Sequence, residues 1–508
     1  MGSPYGGALC FFRCHHRFNC FRLSGLFGAK QKNQRGLIRP QLYSSFLFNN
    51  YLDCITCPFR KMILMKENLR LMPQQFNNYP PIFFMRGHKD VKAIKTTESQ
   101  HCIFYVHIPF CLQKCTYCVL SSLIKNPKAF ENTLGYVEKE IGIIVSQFGR
   151  RKIAAAMYGG GTPSNLSSKQ IAGLYGKIYK SLNFETGAEI TAEIRPATFD
   201  LDKLKAFIDC GVNRLSFGVQ TLNPTELQYC GRQNTYDVIA SSMELAYRAG
   251  FNNINFDIIY GLPKQTPASF QETCKQIFAK LKPQHVCLYL LIVHPGTAIA
   301  NLKKIKPEIF PSERDKQQMF DIFIEIARQH GYINTSVENV AQSNNLFSRY
   351  QRLNWQGLER IGVGPEAIGF VNQCQYVNFS YGQKYRQAVG QNRLPIDFSY
   401  KLNSEEMLIR KIILGLHNLK IKIDDFEREF SINIEKKFSK QWEYLKKNNF
   451  IVKNGKEITL SDKGMKFFFF VQSQFFSDEI REKEIKKVLE KTMSNLSIIG
   501  YPPTPLPT

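Results

Sequence analysis

Three things are scarce in these 508 residues: acidic side chains, tryptophan and long apolar runs. The apolar runs at 103–108 and 286–293 are far shorter than the roughly 20 residues a membrane-spanning helix requires, so no transmembrane helix is expected. Asp and Glu number 42 against 67 Lys and Arg, a formal net charge of +25, and only 2 residues are Trp. The acid deficit is sharpest in residues 1–52, which hold five Arg, two Lys and no Asp or Glu. Such a stretch fits a mitochondrial presequence, or an upstream segment preceding a later start at Met62, Met65 or Met72. Taken whole, 44% hydrophobic and 21% charged residues exclude a disordered chain. The positive charge is spread along the sequence and not gathered into a block. It favours a small anionic substrate drawn by the field over a nucleic acid partner.

Cysteine is not scarce, with 14 in the chain, but it is not arranged as a disulfide framework. Cys210, Cys230, Cys274 and Cys287 lie singly within helix or strand patterns, and Cys10, Cys14, Cys20, Cys54 and Cys57 are irregularly spaced. One tight group stands out, at Cys111, Cys115 and Cys118. Scattered thiols plus one close cluster point to a reducing compartment, and so to the cytoplasm unless 1–52 is a true presequence, and to a metal site.

Short β-rich runs at 103–108, 154–158, 189–194, 214–219, 254–259 and 286–292 alternate with amphipathic segments at 131–147, 169–182, 202–210, 236–249 and 269–281. Six strands separated by helices predict an α/β fold of βα units on a parallel sheet, with its site at the carboxyl ends of the strands. Around 355–370 the chain turns glycine-rich and a different unit is expected to follow. Helices are predicted at 403–415, 423–429 and 433–447, then a two-stranded wing at 451–459 and a helical run from Asp462. That pattern is winged-helix-like. Alone it would suggest DNA binding; appended to an α/β core it is expected to be a lid or packing element. The expected layout is a presequence-like segment 1–61, an extension 62–100, a core 101–300, its completion 301–400, the helical unit 401–475 and a tail 476–508.

The chemistry-bearing stretch runs Tyr105-Val-His-Ile-Pro-Phe-Cys111-Leu-Gln-Lys-Cys115-Thr-Tyr-Cys118. Three thiolates at CxxxCxxC, on a loop leaving a strand, can ligate three irons of one cubane cluster. Electron-transfer clusters use four cysteines and close the site, whereas an open iron can bind a ligand. Zinc would want a fourth Cys or His, and His107, still on the strand, is poorly placed to supply it.

With its flank, this stretch resembles the radical S-adenosylmethionine (SAM) signature, and in particular that of the oxygen-independent coproporphyrinogen III oxidase and heme chaperone family. The likeness covers 103–300 and, less clearly, continues to 475. Gly159-Gly-Gly-Thr-Pro163 follows the second strand, Glu193 ends the third, 213–220 matches the strand-four motif with Gly231-Arg232 after it, and 257–266 matches strand five. The resemblance implies a partial (β/α)6 barrel carrying a 4Fe–4S cluster on Cys111, Cys115 and Cys118. It implies that Tyr105, Gly160, Glu193 and Ile368 contact the cluster-bound SAM, Tyr105 and Glu193 being nearest the catalysis. It further implies that Tyr117, Gly161, Thr162, Gln220, Arg232 and Asp257 contact a second SAM. The implied partners are a tetrapyrrole and a low-potential electron donor such as flavodoxin or ferredoxin.

The chain departs from its relatives in places. Leu120 stands where the oxidase has a fourth cysteine, and Val119-Leu120 where chaperones have Asp-Phe. Of the chaperones' His-Asn-x-x-Tyr-Trp stretch, residues 350–355 keep only Trp355, and Glu193-Ile-Arg-Pro196 replaces the common Glu-x-Asp/Asn-Pro. Oxidase, heme chaperone, and radical methyl transfer or heme opening therefore all stay open. Leu460-Ser-Asp-Lys-Gly464 with its aromatic helix leans towards the oxidase and heme-opening branches.

Overall fold

Runs of Val, Ile, Ala and Phe without polar alternation suit strands buried on both faces, as parallel sheets covered by helices require. A computed structural model of the chain describes residues 79–85, 87–89, 94, 101–120, 127–149 and 151–480. The presequence-like segment 1–61, Cys10, Cys14, Cys20, Cys54 and Cys57, and 481–508 of the expected tail lie outside the described residues.

The six runs are strands β1 (His101–Ile108), β2 (Lys152–Gly160), β3 (Asn183–Ile194), β4 (Arg214–Gln220), β5 (Ile254–Tyr260) and β6 (His285–Leu290). They pair in parallel, each with the next in sequence. Helices Pro127–Phe148, Ser168–Ser181, Leu201–Asp209, Tyr236–Ala249 and Pro267–Lys275 fill the connections. Four of them start on a side chain that accepts a first-turn backbone N–H: Ser167, Asp200, Thr235 and Thr266. The predicted helix 269–281 divides, its last turns being π-helical over Gln276–Leu281. A short helix, Pro224–Cys230, was not anticipated, because seven residues carry too little periodicity. Its start is nonetheless written locally, in the Asn223 cap and Pro224, and its end in Gly231 at φ 68°.

Both edges of the parallel sheet are extended. On β6 lie antiparallel β8 (Asn339–Ala341) and, beyond it, β7 (Ile333–Asn334). On β1 lies β9 (Glu359–Val363), parallel, followed by antiparallel β10 (Ile368–Val371), β11 (Cys374–Asn378) and β12 (Ile396–Lys401). The glycine-rich stretch 355–370 therefore does not open a different unit; it runs into the main sheet. Gly369 lies so close to the Tyr376 ring that a Cβ would stand 2.0 Å from it, which explains the composition.

The C-terminal unit begins with helix Ser404–His417 and contains an antiparallel sheet of β13 (Lys420–Lys422), β15 (Glu457–Leu460) and β14 (Ile451–Asn454), in that order. β13 is a third strand beyond the expected wing. The single helix read at 433–447 is two, Ile434–Lys437 and Ser439–Lys447, interrupted at Phe438. Leu408, Ile412, Phe426, Leu445 and Phe475 share one continuous apolar core with Val106, Leu215 and Ile258 of the parallel sheet.

Two buried polar joints hold these parts together. Arg410 Nη1 donates to the Tyr79 carbonyl at 2.8 Å and to Gln375 Oε1 at 3.1 Å, with its guanidinium 4.1 Å from the Phe370 ring centroid. Glu140, on the helix Pro127–Phe148, accepts from Gly364 N–H (2.9 Å), Tyr385 O–H (2.5 Å) and Asn378 Nδ2 (2.7 Å). Burial pushes its carboxyl up to about 7 against the pull of those donors. Among the described residues no helix is long and apolar enough to cross a membrane.

Candidate active site

At the carboxyl ends of β1 to β6 opens a cavity of about 400 Å³, lined by the loop after β1 and by residues from each of β2 to β6 or the turn that follows it. The loop bearing the three cysteines is fixed at several points along its length. Gly161 N–H donates to Ile108 O and Thr162 N–H to Phe110 O, both at 2.7 Å. Further on, Thr116 N–H and Oγ1 donate to Cys230 O (3.3 Å) and Tyr229 O (2.6 Å), while Thr116 O accepts from Ile299 N–H at 3.0 Å. A Cβ on Gly161 would stand 2.2 Å from Phe110 O, and one on Gly160, at φ 101°, 2.8 Å from the His107 ring. Only glycine lets β2 end this close to the cysteine loop.

Cys111, Cys115 and Cys118 are free thiols, partly exposed to the cavity. Burial pushes Cys111 and Cys118 up from the ordinary thiol range, a direction that a bound metal reverses. Among the described residues no three His, Cys, Asp or Glu side chains converge as they would round a single ion. The donor set itself, three thiols on one clamped loop, leaves one iron of a cubane open and lacks the fourth Cys or His that zinc would want. His107 supplies no fourth ligand. It is buried behind Gly160, its Nδ1 is 2.9 Å from Tyr105 Oη, and burial lowers it to about 4.

Of the other expected residues, Tyr117, Gly160, Gly161, Thr162, Glu193, Gln220, Arg232 and Asp257 line this cavity, and Tyr105 and Ile368 do not. Tyr105 packs beneath it with Ile103, Met157 and Tyr350. Ile368 begins β10, where its carbonyl accepts from Arg360 Nε at 3.0 Å. Glu193 Oε2 accepts from Gly160 N–H at 3.2 Å, and burial followed by the charge of Asp257 raises its carboxyl to about 7. Asp257 is raised by burial and held by Ser216 Oγ (2.7 Å) and Asn255 Nδ2 (2.8 Å).

A bulge between β4 and β5 at Gly218/Gln220 ends β4 with Gln220 at φ 65°, turning it inward. Gly231 then turns the chain back so that Arg232 Nη1 donates to Gly218 O at 2.9 Å, with the guanidinium also against the Cys115 thiol. Gln220 Oε1 and Arg232 Nε are buried without a protein partner. Sequence reading missed Arg195, Ser216, Tyr289 and His294, which share the cavity. Ser216 sat inside the strand-four motif and Arg195 was visible only as a departure. Tyr289 and His294 could have been found from the strand-end rule alone.

A β1 loop with three open thiols, at the carboxyl ends of six sequential parallel strands, defines a radical SAM protein. The radical SAM superfamily matches residues 105–277. The chain is 28% identical over 395 residues to the oxygen-independent coproporphyrinogen III oxidase of Helicobacter pylori strain J99, covering 73% of this chain and 86% of that one. It is 30% identical over 383 residues to the heme chaperone HemW of Lactococcus lactis, covering 74% and 97%. The structure of coproporphyrinogen III oxidase from Escherichia coli superposes with a TM-score of 0.68 at 26% identity, over 76% of this chain and 92% of that one. The chain belongs to the coproporphyrinogen III oxidase and heme chaperone family of the radical SAM superfamily.

Proposed function

We propose that this chain is a radical SAM oxidoreductase that removes hydrogen from the propionate side chains of a tetrapyrrole, as in coproporphyrinogen III oxidation. The observation that carries the reading is the single cavity joining three open thiols to Gly160, Glu193, Gln220, Arg232 and Asp257. Its volume of about 400 Å³ suits an organic ligand. On this reading the six parallel strands form a partial (β/α)6 barrel, and 401–475 is a winged-helix-like packing element.

Cys111, Cys115 and Cys118 would hold a 4Fe–4S cluster, which when bound supplies the electron that cleaves SAM and so a radical for hydrogen abstraction. The chain's own residues then orient and enclose. Gly160 and Gly161 bring backbone amides and carbonyls to the cluster loop, where a methionine zwitterion can pair with them. Glu193, with its carboxyl lifted by burial, is poised to hold or release a proton beside Gly160. Gln220, Arg232 and Asp257 offer an amide, a fork of donors and a carboxylate to a second SAM, and the unpartnered Gln220 Oε1 and Arg232 Nε suit that use. In the overall change each of two propionates loses one hydrogen atom, carbon dioxide and one electron to become a vinyl group. The electron leaves to an acceptor outside the chain.

Reconstituted, reduced enzyme given SAM and coproporphyrinogen III under anaerobic conditions should yield 5′-deoxyadenosine and a product lighter by two molecules of formic acid equivalent (carbon dioxide plus two hydrogens each). SAM cleavage without any change in the tetrapyrrole would sink the oxidase reading. A heme chaperone is the second reading, favoured by the HemW relative's near-complete coverage and by Leu120 at the cavity wall in place of a thiol. Stoichiometric heme binding without turnover would select it.

A further inference from the structure

Arg195 reaches the cavity wall two residues beyond Glu193, with its side chain half-buried. Among the described residues its guanidinium makes no hydrogen bond and joins no ion pair, in contrast to Arg232, which is tied to Gly218 O. Burial and then the like charge of Arg232 disfavour the charge on Arg195, and only the Cys115 and Cys111 thiols and the Tyr117 phenol, when ionised, favour it. Neither cavity carboxylate answers Arg195. Glu193 faces the Gly160 amide, and Asp257 is held between Ser216 and Asn255.

The backbone beneath this side chain is fastened. Arg195 N–H donates to Ser164 Oγ at 3.2 Å, and Arg195 O accepts from Thr198 N–H (3.2 Å) and Thr198 Oγ1 (2.7 Å). Ser164 and Thr198 bond each other at 2.5 Å, and Lys203 Nζ closes the loop on Ser164 O (2.9 Å) and Thr198 O (2.8 Å). Pro196 stiffens the next residue. A rigid mount under a planar fork that no hydrogen bond or carboxylate engages is what preorganised recognition of a carboxylate requires.

We propose that Arg195 is a specificity-determining residue that pairs with a carboxylate of the organic substrate inside the cavity. This rests on the tetrapyrrole reading and adds to it the side chain that selects the acid form. The cluster-bearing full chain is titrated, by porphyrin fluorescence quenching, with coproporphyrin III and with its tetramethyl ester. The parent should prefer the acid over the ester. Arg195→Gln should reduce that preference by at least about tenfold, the scale of one charge-assisted hydrogen-bonded pair. Arg195→Lys, which keeps the charge and loses the fork, should recover part of it. Iron content checks that each variant is folded, and should the Gln variant lose iron, a Lys variant with undiminished preference would itself overturn the assignment. An unchanged preference in Arg195→Gln overturns it while leaving the tetrapyrrole reading intact. Failure of the parent to bind either porphyrin brings down both. Weaker SAM binding in equilibrium dialysis, with the porphyrin preference intact, would assign the guanidinium to SAM and overturn the proposal.

Discussion

Cys111, Cys115 and Cys118 differ from the other described cysteines in what surrounds them. Cys102, Cys210, Cys230, Cys274, Cys287 and Cys374 are buried, whereas these three open onto the cavity. Reconstituted protein should therefore hold about four irons per chain, and Ala at any of the three should abolish the cluster. Full iron content with a normal cluster spectrum in any one would refute the assignment. Cys274→Ser should keep its iron and lose about 1–3 kcal/mol in denaturant unfolding, because it buries a hydroxyl where the thiol has no hydrogen-bond partner. Arg232 is the sharper test. If it and Asp257 hold a second SAM, reduced enzyme without tetrapyrrole should bind about two SAM per cluster, and Arg232→Ala should lower this towards one. A single SAM per cluster in the parent would decide against the second site. The three thiols and the polar strand ends could be read in the sequence because their residue types announce chemistry. Arg195 could not, since only the fold shows that its guanidinium has no partner.

Strand ends and glycines act together at the next scale. The contact between β2 and the cysteine loop depends on Gly161, whose absent side chain leaves room for the Phe110 carbonyl. Gly161→Ala must displace one of the two, so its cluster should be lost faster to a chelator and its Tm should fall by several degrees. Wild-type chelation kinetics in this variant would show that the close approach has no consequence for the cluster. Sequence periodicity identified β1 to β6 and their helices because each is apolar enough to declare its own burial. β9 and β10 escaped because Gly362 and Gly369 serve packing against the Ile368 backbone and the Tyr376 ring, which looks like a linker in one dimension. The short helix Pro224–Cys230 escaped for lack of length, although it places Arg232.

Across the whole molecule, buried acids make stability depend on pH. Glu140 has its folded pKa raised to about 7, so the folded state holds its proton more firmly than the unfolded state does. Its contribution is fully present below an ordinary glutamate pKa and is lost as pH rises through about 7. Glu193 and Glu338, raised by burial to about 7 and about 8, act in the same direction. Buried neutral His107 and His285 act in the opposite direction below an ordinary histidine pKa, so the comparison is between parent and variant: Glu140→Gln should start lower at pH 5 for want of the acceptor, and its Tm should fall less, or rise more, than the parent's towards pH 8. An identical slope in parent and variant would remove Glu140 from the account. Removing residues 1–61 should leave cluster loading unchanged, whereas removing 1–100 also deletes Tyr79, the carbonyl partner of buried Arg410, and should lower Tm. Loss of folding in the shorter deletion would show that the N-terminal segment packs on the rest.

The clamp on the cysteine loop also sets an order of events during synthesis. The thiols leave the ribosome with the first strand, but the groups that hold Thr116 belong to Tyr229, Cys230 and Ile299, which are made much later. Until those residues emerge, only the contacts with Gly161 and Thr162 can fasten the loop, and its Thr116 end, between Cys115 and Cys118, lacks its partners. The clamp on Thr116 can be complete only once the chain has been translated through Ile299, little more than halfway along it.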